Sequence, residues 1–353
     1  MLYLHQRLLS PLKAIYLEEQ DVAYRTKCTS IGHRILKEDQ RAESVPNSIF
    51  KRLDTIILRV QNEITVDNIT TINEAKSILE RIEQVVTTSN FVCSIPYYLV
   101  QSFGDGLLPR KLDERLIYAA ENELRRPYIT AHANEMFSHV DCDLSSLLYL
   151  CIAEALHIPL RMVELPGHNF IRWRLNNYTH LNWDTNYGFN RFTDNEYAAH
   201  YGVKADQIVN GTYLLDLSTD NVEGYFSFVR GITFQSAKKF HESINEYRVA
   251  ITKYPQSPAA RNNIAWLFVS DKSVQQIVTK EEALELMLKA CDIYRTDNSL
   301  DTLACVYAEN GDFKSAITIE TEAYSMKALP KYKQMIDAFY KGKTWLDLFG
   351  TTS

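Results

Sequence analysis

The sequence predicts an α+β protein in three parts: a helical N-terminal region over residues 1–110, a mixed helix-and-strand domain over 111–220, and a helical repeat region over 221–353. Three observations carry this reading. Apolar residues recur at near-helical spacing in the first hundred residues. From Tyr128 to Tyr213 one apolar-striped helix gives way to short alternating segments rich in aromatic and β-branched residues. In the last third, small and aromatic residues return at fixed offsets. With 353 residues, 46% hydrophobic and 23% charged, and only 12 Gly and 10 Pro, the chain is too long for one core and too apolar for disorder.

The first helical signals are Ile49–Ile64, with Ile49, Phe50, Leu53, Ile56, Ile57 and Val60, and Thr71–Val86, with Ile72, Ala75, Ile78, Leu79, Ile82 and Val85. Nothing in them suggests chemistry, so the region reads as a packing domain of four or five helices. In the middle, Leu144, Leu147, Leu148, Cys151, Ile152, Ala155 and Leu156 form one helical stripe. His157 and Pro159 end it, because the residue before proline is pushed out of the helical region. His168–Leu175 then alternates, with Asn169, Ile171, Trp173 and Leu175 on one face and His168, Phe170, Arg172 and Arg174 on the other. Asn176 and Asn177 suit a turn, and Leu181, Trp183 and Thr185 begin the returning strand.

In the last third, Gly231, Phe234, Ser243, Tyr247, Ala250 and Pro255 fall on the offsets at which a 34-residue tetratricopeptide (TPR) unit places small and aromatic residues. Ala265, Phe268, Ala283 and Ala290 give a second copy with six extra residues between its helices. Ala304, Tyr307, Gly311, Ala316 and Ala323 give a third. A seven-residue step between small residues is kept in all three. Three repeats bury a continuous core, with Lys331–Leu348 expected as a capping helix.

Charge narrows the partners. The net charge of -6 and the lack of a basic stripe argue against nucleic acid. No apolar run is long enough to cross a membrane. Met1–Leu9 is apolar but carries His5 and Arg7 and soon meets Glu18, Glu19 and Asp21, unlike a signal peptide. Cysteines at 28, 93, 142, 151, 291 and 305 are at least nine residues apart. They fit neither a zinc knuckle nor a disulfide scaffold, and reduced thiols in a cytoplasm are expected. No cofactor or metal is expected. His132 and His139 could share a helix face but lack matching ligands, and Gly104-Asp105-Gly106 reads as a turn without phosphate-binding context.

The chemistry concentrates in Cys142, His168 and Asp184. Cys142 precedes the apolar stripe, with Asp141 or Asp143 as cap, so helix-terminal N–H groups favour a thiolate while the two carboxylates oppose it. Nine residues at about 100° each turn Cys151 to the opposite side of the helix, on the core stripe, where it reads as a small hydrophobe. A hairpin closing at Asn176 and Asn177 brings Asp184 within about two residues of the partner of His168. A weak nucleophile needs an adjacent base, and the base needs an orienting group; these three residues supply the set. Arg172 and Arg174 could hold a substrate carboxylate or line a solvated edge.

The segments Asp141-Cys142-Asp143-Leu144-Ser145-Ser146, Leu156-His157-Ile158-Pro159, Leu165-Pro166-Gly167-His168-Asn169-Phe170-Ile171-Arg172-Trp173 and Asn182-Trp183-Asp184-Thr185 resemble the transglutaminase-like cysteine-enzyme superfamily. More narrowly they resemble its bacterial branch with a Pro-Gly-His histidine and frequent TPR repeats. The resemblance covers about 60 to 90 residues of the middle. His157 stands where that family has glycine. It implies a papain-type core, with Cys142 as nucleophile, His168 as base and Asp184 as orienting carboxylate. Asn134 or His139, with the backbone N–H of Cys142, are candidates for the oxyanion site.

The expected function is a cytoplasmic thiol hydrolase, a cysteine peptidase acting on protein amides. Its protein substrate or regulator would be recruited by the TPR repeats. Transamidation or glutamine deamidation through the same thioester is the first alternative. A non-catalytic peptide-binding adaptor is the second.

Overall fold

The computed structural model describes residues 30–42, 46–93, 102–112 and 125–350. The apolar start at Met1–Leu9, and Cys28, lie outside the described residues. The chain is a mixed α+β protein dividing into two compact units. One runs up to Val203 and adds Leu214–Ser218; the other joins Lys204–Tyr213 to everything from Thr219 onward.

The first unit begins with α1 (Ile31–Ala42), α2 (Ser48–Glu63) and α3 (Ile72–Thr87). Ile49, Phe50, Leu53, Ile56 and Val60 are buried along α2, and Ala75, Ile78, Leu79, Ile82 and Val85 along α3, as their spacing predicts. Thr71 and Glu74 form a reciprocal capping box at the start of α3. After β1 (Phe91–Cys93) come α4 (Phe103–Leu107), β2 (Pro109–Lys111), α5 (Arg125–Ala131) and β3 (Met136–Val140). These strands form a small sheet in the order β1-β3-β2, parallel between β1 and β3 and antiparallel between β2 and β3. Gly104-Asp105-Gly106 is thus a turn, buried and helical, with the Asp39 carboxylate accepting from the Gly104 N–H.

Next comes α6 (Cys142–Leu156), which packs on α1, α2, β3, β4 and β5. It stops at His157, whose φ of 56° is left-handed. This explains why glycine is expected there: a side chain in that conformation meets its own backbone. A second antiparallel sheet follows, β4 (Leu160–Leu165), β5 (His168–Arg174) and β6 (His180–Trp183), in that order. The two-residue turn between β4 and β5 has Pro166 first and Gly167 second at φ 70°, the positive φ that a type II turn needs at that position. Asn176 Oδ1 accepts from the N–H groups of Tyr178 and Thr179 and forms the next turn. Along β5 both faces are buried between His168 and Trp173, so the alternation marks two different packed faces rather than core and solvent. The last strand-like piece is the returning segment: Asp216 bridges Val163, and the Leu214 and Leu217 N–H groups donate to Glu164 and Met162. α7 (Asp194–Tyr201) completes the unit.

The second unit holds the short α8 (Ala205–Val209) and the helix pairs α9 (Thr219–Ser236) with α10 (Phe240–Lys253), α11 (Ala259–Ser270) with α12 (Lys280–Ile293), and α13 (Asp297–Glu309) with α14 (Phe313–Met326). The small residues seven apart, Ser243 and Ala250, Ala283 and Ala290, Ala316 and Ala323, are all buried on the second helix of each pair. At Gly231 a methyl group would lie 2.4 Å from the Tyr247 ring, so only glycine permits this approach of α9 and α10. The six extra residues of the second pair form a 3-10 turn at Val274–Gln276, anchored by buried Val274 and Val278. One continuous apolar core runs from Ile244 to Phe339. The single capping helix expected over Lys331–Leu348 is instead two, α15 (Pro330–Phe339) and α16 (Trp345–Phe349), because Gly342 turns left-handed between them. Among the described residues, no helix is long and apolar enough to cross a membrane.

Candidate active site

Asp141 caps α6 by accepting from the Leu144 N–H at 3.0 Å, which makes Cys142 the first helical residue. Its neighbour across the structure is the start of β5, where His168 is the first strand residue and the next side chain, Asn169, shares the Asp143 carboxylate with Cys142. Register then fixes the third group. Ile171 pairs with Trp183, so Asp184 continues β6 to a position two residues short of the partner of His168, on the same face. The two side chains meet: His168 Nε2 and Asp184 Oδ2 are 3.1 Å apart.

A carboxylate only accepts, so this bond requires the proton on Nε2 and leaves the Nδ1 lone pair as the basic end of the ring. Asp184 is fully buried and held on both oxygens. Oδ1 accepts from the Asn186 N–H at 3.1 Å, and Oδ2 also accepts from the Tyr197 hydroxyl at 3.2 Å. Arg191 stands 3.9 Å from Oδ2, its guanidinium stacked on Tyr187 and Phe192. Tyr201 lies flat over the His168 ring, with centroids 5.1 Å apart and planes within 7°. Its phenol is pushed up to about 12 by burial and by Asp184, so it stays protonated.

The thiol departs from a simple helix-terminus expectation. Burial first, then Asp143 and Asp141, push the Cys142 thiol well above its ordinary range, and the Asn169 N–H only partly opposes them. The resting nucleophile is therefore S–H, and it donates to Asp143 Oδ1 at 3.4 Å. Asn169 Nδ2–H donates to the same oxygen and holds it in place. Burial, with Asp143 beside it, also raises the Asp141 carboxyl, to about 7. Cys142 is half-buried, whereas Cys151 is fully buried among α1 and α6 residues, its thiol pushed up to about 12 by burial.

A scan against protein-family models returns no match, and neither does a search of curated proteins.

Asn134 lies in the exposed turn before β3, while His139 is buried on β3 itself. His132 and His139 therefore share no helix face: His132 follows α5, stacked on Tyr128 with Nδ1 at 2.8 Å from the Tyr128 carbonyl. Among the described residues there is no group of three His, Cys, Asp or Glu side chains able to hold a metal. Arg172 is neither a substrate clamp nor a solvated edge. It is buried, donating to Asn182 (3.0 Å), Asp194 (2.6 Å), Asp216 (2.7 Å) and the Leu214 carbonyl, and Arg174 is paired with Asp216. One group near the site leaves no trace in the sequence: Glu83 is one polar position among many on an amphipathic helix, whereas Asp143 reads there both as an alternative cap and as a charge opposing the thiolate.

Proposed function

We propose that the chain is a transglutaminase-like thiol hydrolase, a cysteine peptidase in which Cys142 attacks an amide carbonyl, His168 moves the proton and Asp184 orients the imidazole. The observation that carries the reading is the 3.1 Å His168–Asp184 bond on a strand whose next residue, Asn169, donates to the same Asp143 oxygen as the Cys142 thiol. That arrangement frees Nδ1 to take the thiol proton, which must first leave Asp143. Substrate binding would shed water from the site and reorient the thiol. Attack then forms a thioester as the amine leaves with the proton from His168, and water, deprotonated by the same ring, releases the acid.

In the same reading the second unit is a TPR array that recruits a protein substrate in its groove, supported by the buried seven-residue steps in three helix pairs. The test is mass spectrometry of a proteome-derived peptide mixture and of intact proteins after incubation with the wild type, Cys142→Ala, His168→Ala and Asp184→Asn. New chain termini that vanish in the first two variants and fall in the third support hydrolysis. Glutamine converted to glutamate without cleavage, or heavier conjugates, would move the assignment to deamidation or transamidation. No Cys142-dependent change would leave a binding role.

A further inference from the structure

Glu83 on α3 and Arg125 at the start of α5 are 1% and 5% exposed. Two charges so deeply buried persist only when their hydrogen-bonding capacity is used, and here it reaches the candidate site. Arg125 Nη2 donates to Glu83 Oε2 at 2.9 Å and to the Thr185 carbonyl at 2.8 Å, Nε donates to Glu83 Oε1, and Nη1 donates to the Asn186 carbonyl. Thr185 and Asn186 directly follow Asp184. Glu83 also accepts from the Tyr149 hydroxyl of α6 at 2.6 Å and from Thr87 at 3.2 Å. Thr185 Oγ1 meets Ser146 Oγ, again of α6, at 3.3 Å.

We infer that Arg125, clamped by Glu83, is a positioning residue that sets the Asp184 turn against the nucleophile helix and so aims Asp184 at His168; this rests on the thiol-hydrolase reading above. The Thr185 carbonyl lies on a buried residue and must find a donor inside the protein, and the half-buried Asn186 carbonyl turns to the same guanidinium. A guanidinium is the side chain whose rigid fork serves two successive carbonyls and a carboxylate together. With the Thr185 carbonyl fixed by Arg125, the Asn186 N–H in the same peptide plane is fixed too, and it holds Asp184 Oδ1 at 3.1 Å. Oδ2 is thereby left facing His168. Tyr149 and Ser146 tie the same knot to the helix opened by Cys142, so base, orienting group and nucleophile share one reference point. Burial alone would raise the Glu83 carboxyl; Arg125, Tyr149 and Thr87 outweigh burial and hold it below the usual range.

The experiment measures the pH profile of Cys142 alkylation by iodoacetamide in the full chain, by peptide mapping. It compares the wild type, Asp184→Asn, the double variant Glu83→Leu/Arg125→Met, and the triple combination. Removing both charges avoids stranding one of them. The double variant should slow Cys142 alkylation near neutral pH roughly 10- to 100-fold and carry its profile onto that of Asp184→Asn. Adding Asp184→Asn to it should change nothing more, since both act through one group. Additive losses would mark a merely structural role and overturn the inference. So would a folded double variant with the wild-type profile, which leaves the triad intact as long as Asp184→Asn alone shifts the profile. If Asp184→Asn has no effect, the triad reading falls and this inference falls with it. Should the double variant not fold, Arg125→Lys keeps the ion pair but lacks the fork, and the same comparisons apply.

Discussion

Replacing Asp143 by asparagine should make Cys142 more reactive. In the resting site the thiol donates to Asp143 Oδ1 at 3.4 Å. At that distance a full negative charge disfavours a thiolate by about 1.2 kcal/mol in water-like surroundings and by about 5 kcal/mol at an effective dielectric of 20. Since Cys142 is half-buried, the true value lies between, roughly 10- to 3,000-fold in thiolate population. A less basic thiolate is also a poorer nucleophile, so roughly half of the logarithmic gain survives. Iodoacetamide should then modify Cys142 about 3- to 100-fold faster in Asp143→Asn than in the wild type at neutral pH. The amide keeps the shape of the carboxylate, so circular dichroism should be unchanged. Peptide mapping separates Cys142 from Cys151, which is fully buried and should stay unlabelled in both proteins. Equal or slower labelling in a folded Asp143→Asn variant would refute the claim that this carboxylate holds the nucleophile as S–H.

Three further outcomes are expected. His157→Gly should stabilise the protein by about 0.5–1 kcal/mol in denaturant titrations, the relief of a left-handed side chain less the entropy glycine adds to the unfolded chain. Arg172→Met should destabilise it by about 1–3 kcal/mol, because the buried Asn182 side chain and Leu214 carbonyl and the partly exposed Asp194 and Asp216 lose its hydrogen bonds while Asp216 keeps Arg174; a urea midpoint unchanged from wild type would contradict this. Glu320, buried on α14, is pushed up to about 9 by burial and by Asp301. The folded state therefore holds a proton that the unfolded chain has released, and stability falls as pH rises from about 4.5 towards 9. Glu320→Gln should flatten that decline in thermal unfolding across this window.

The residues that carry local information were the most readable. Helix phase separated Cys142 from Cys151, and counting across the Asn176–Asn177 turn put Asp184 near His168, because strand pairing converts spacing directly into proximity. Interactions between distant segments left no such trace. Glu83 and Arg125 are 42 residues apart, and neither position looks unusual on its own helix. Arg172 misled for the same reason: its partners Asp194 and Asp216 come from a later helix and from a returning segment that no periodicity announces. The sign of the thiol's shift depended on burial, which sequence proximity to two carboxylates only half revealed.

The chain's route also constrains how the protein is made and how it can be rebuilt. It leaves the first unit after Val203, comes back for Leu214–Ser218, and departs again at Thr219. During synthesis the residues flanking β4 emerge only after Lys204–Tyr213 has already been released, a stretch whose Asn210 side chain awaits the Ile293 carbonyl some eighty residues later. For that interval the early loop has no home. A transplant of the helical repeats onto another protein would have to carry this loop across a second junction, and a cut at any single peptide bond would leave one half short of a piece and the other with a piece too many.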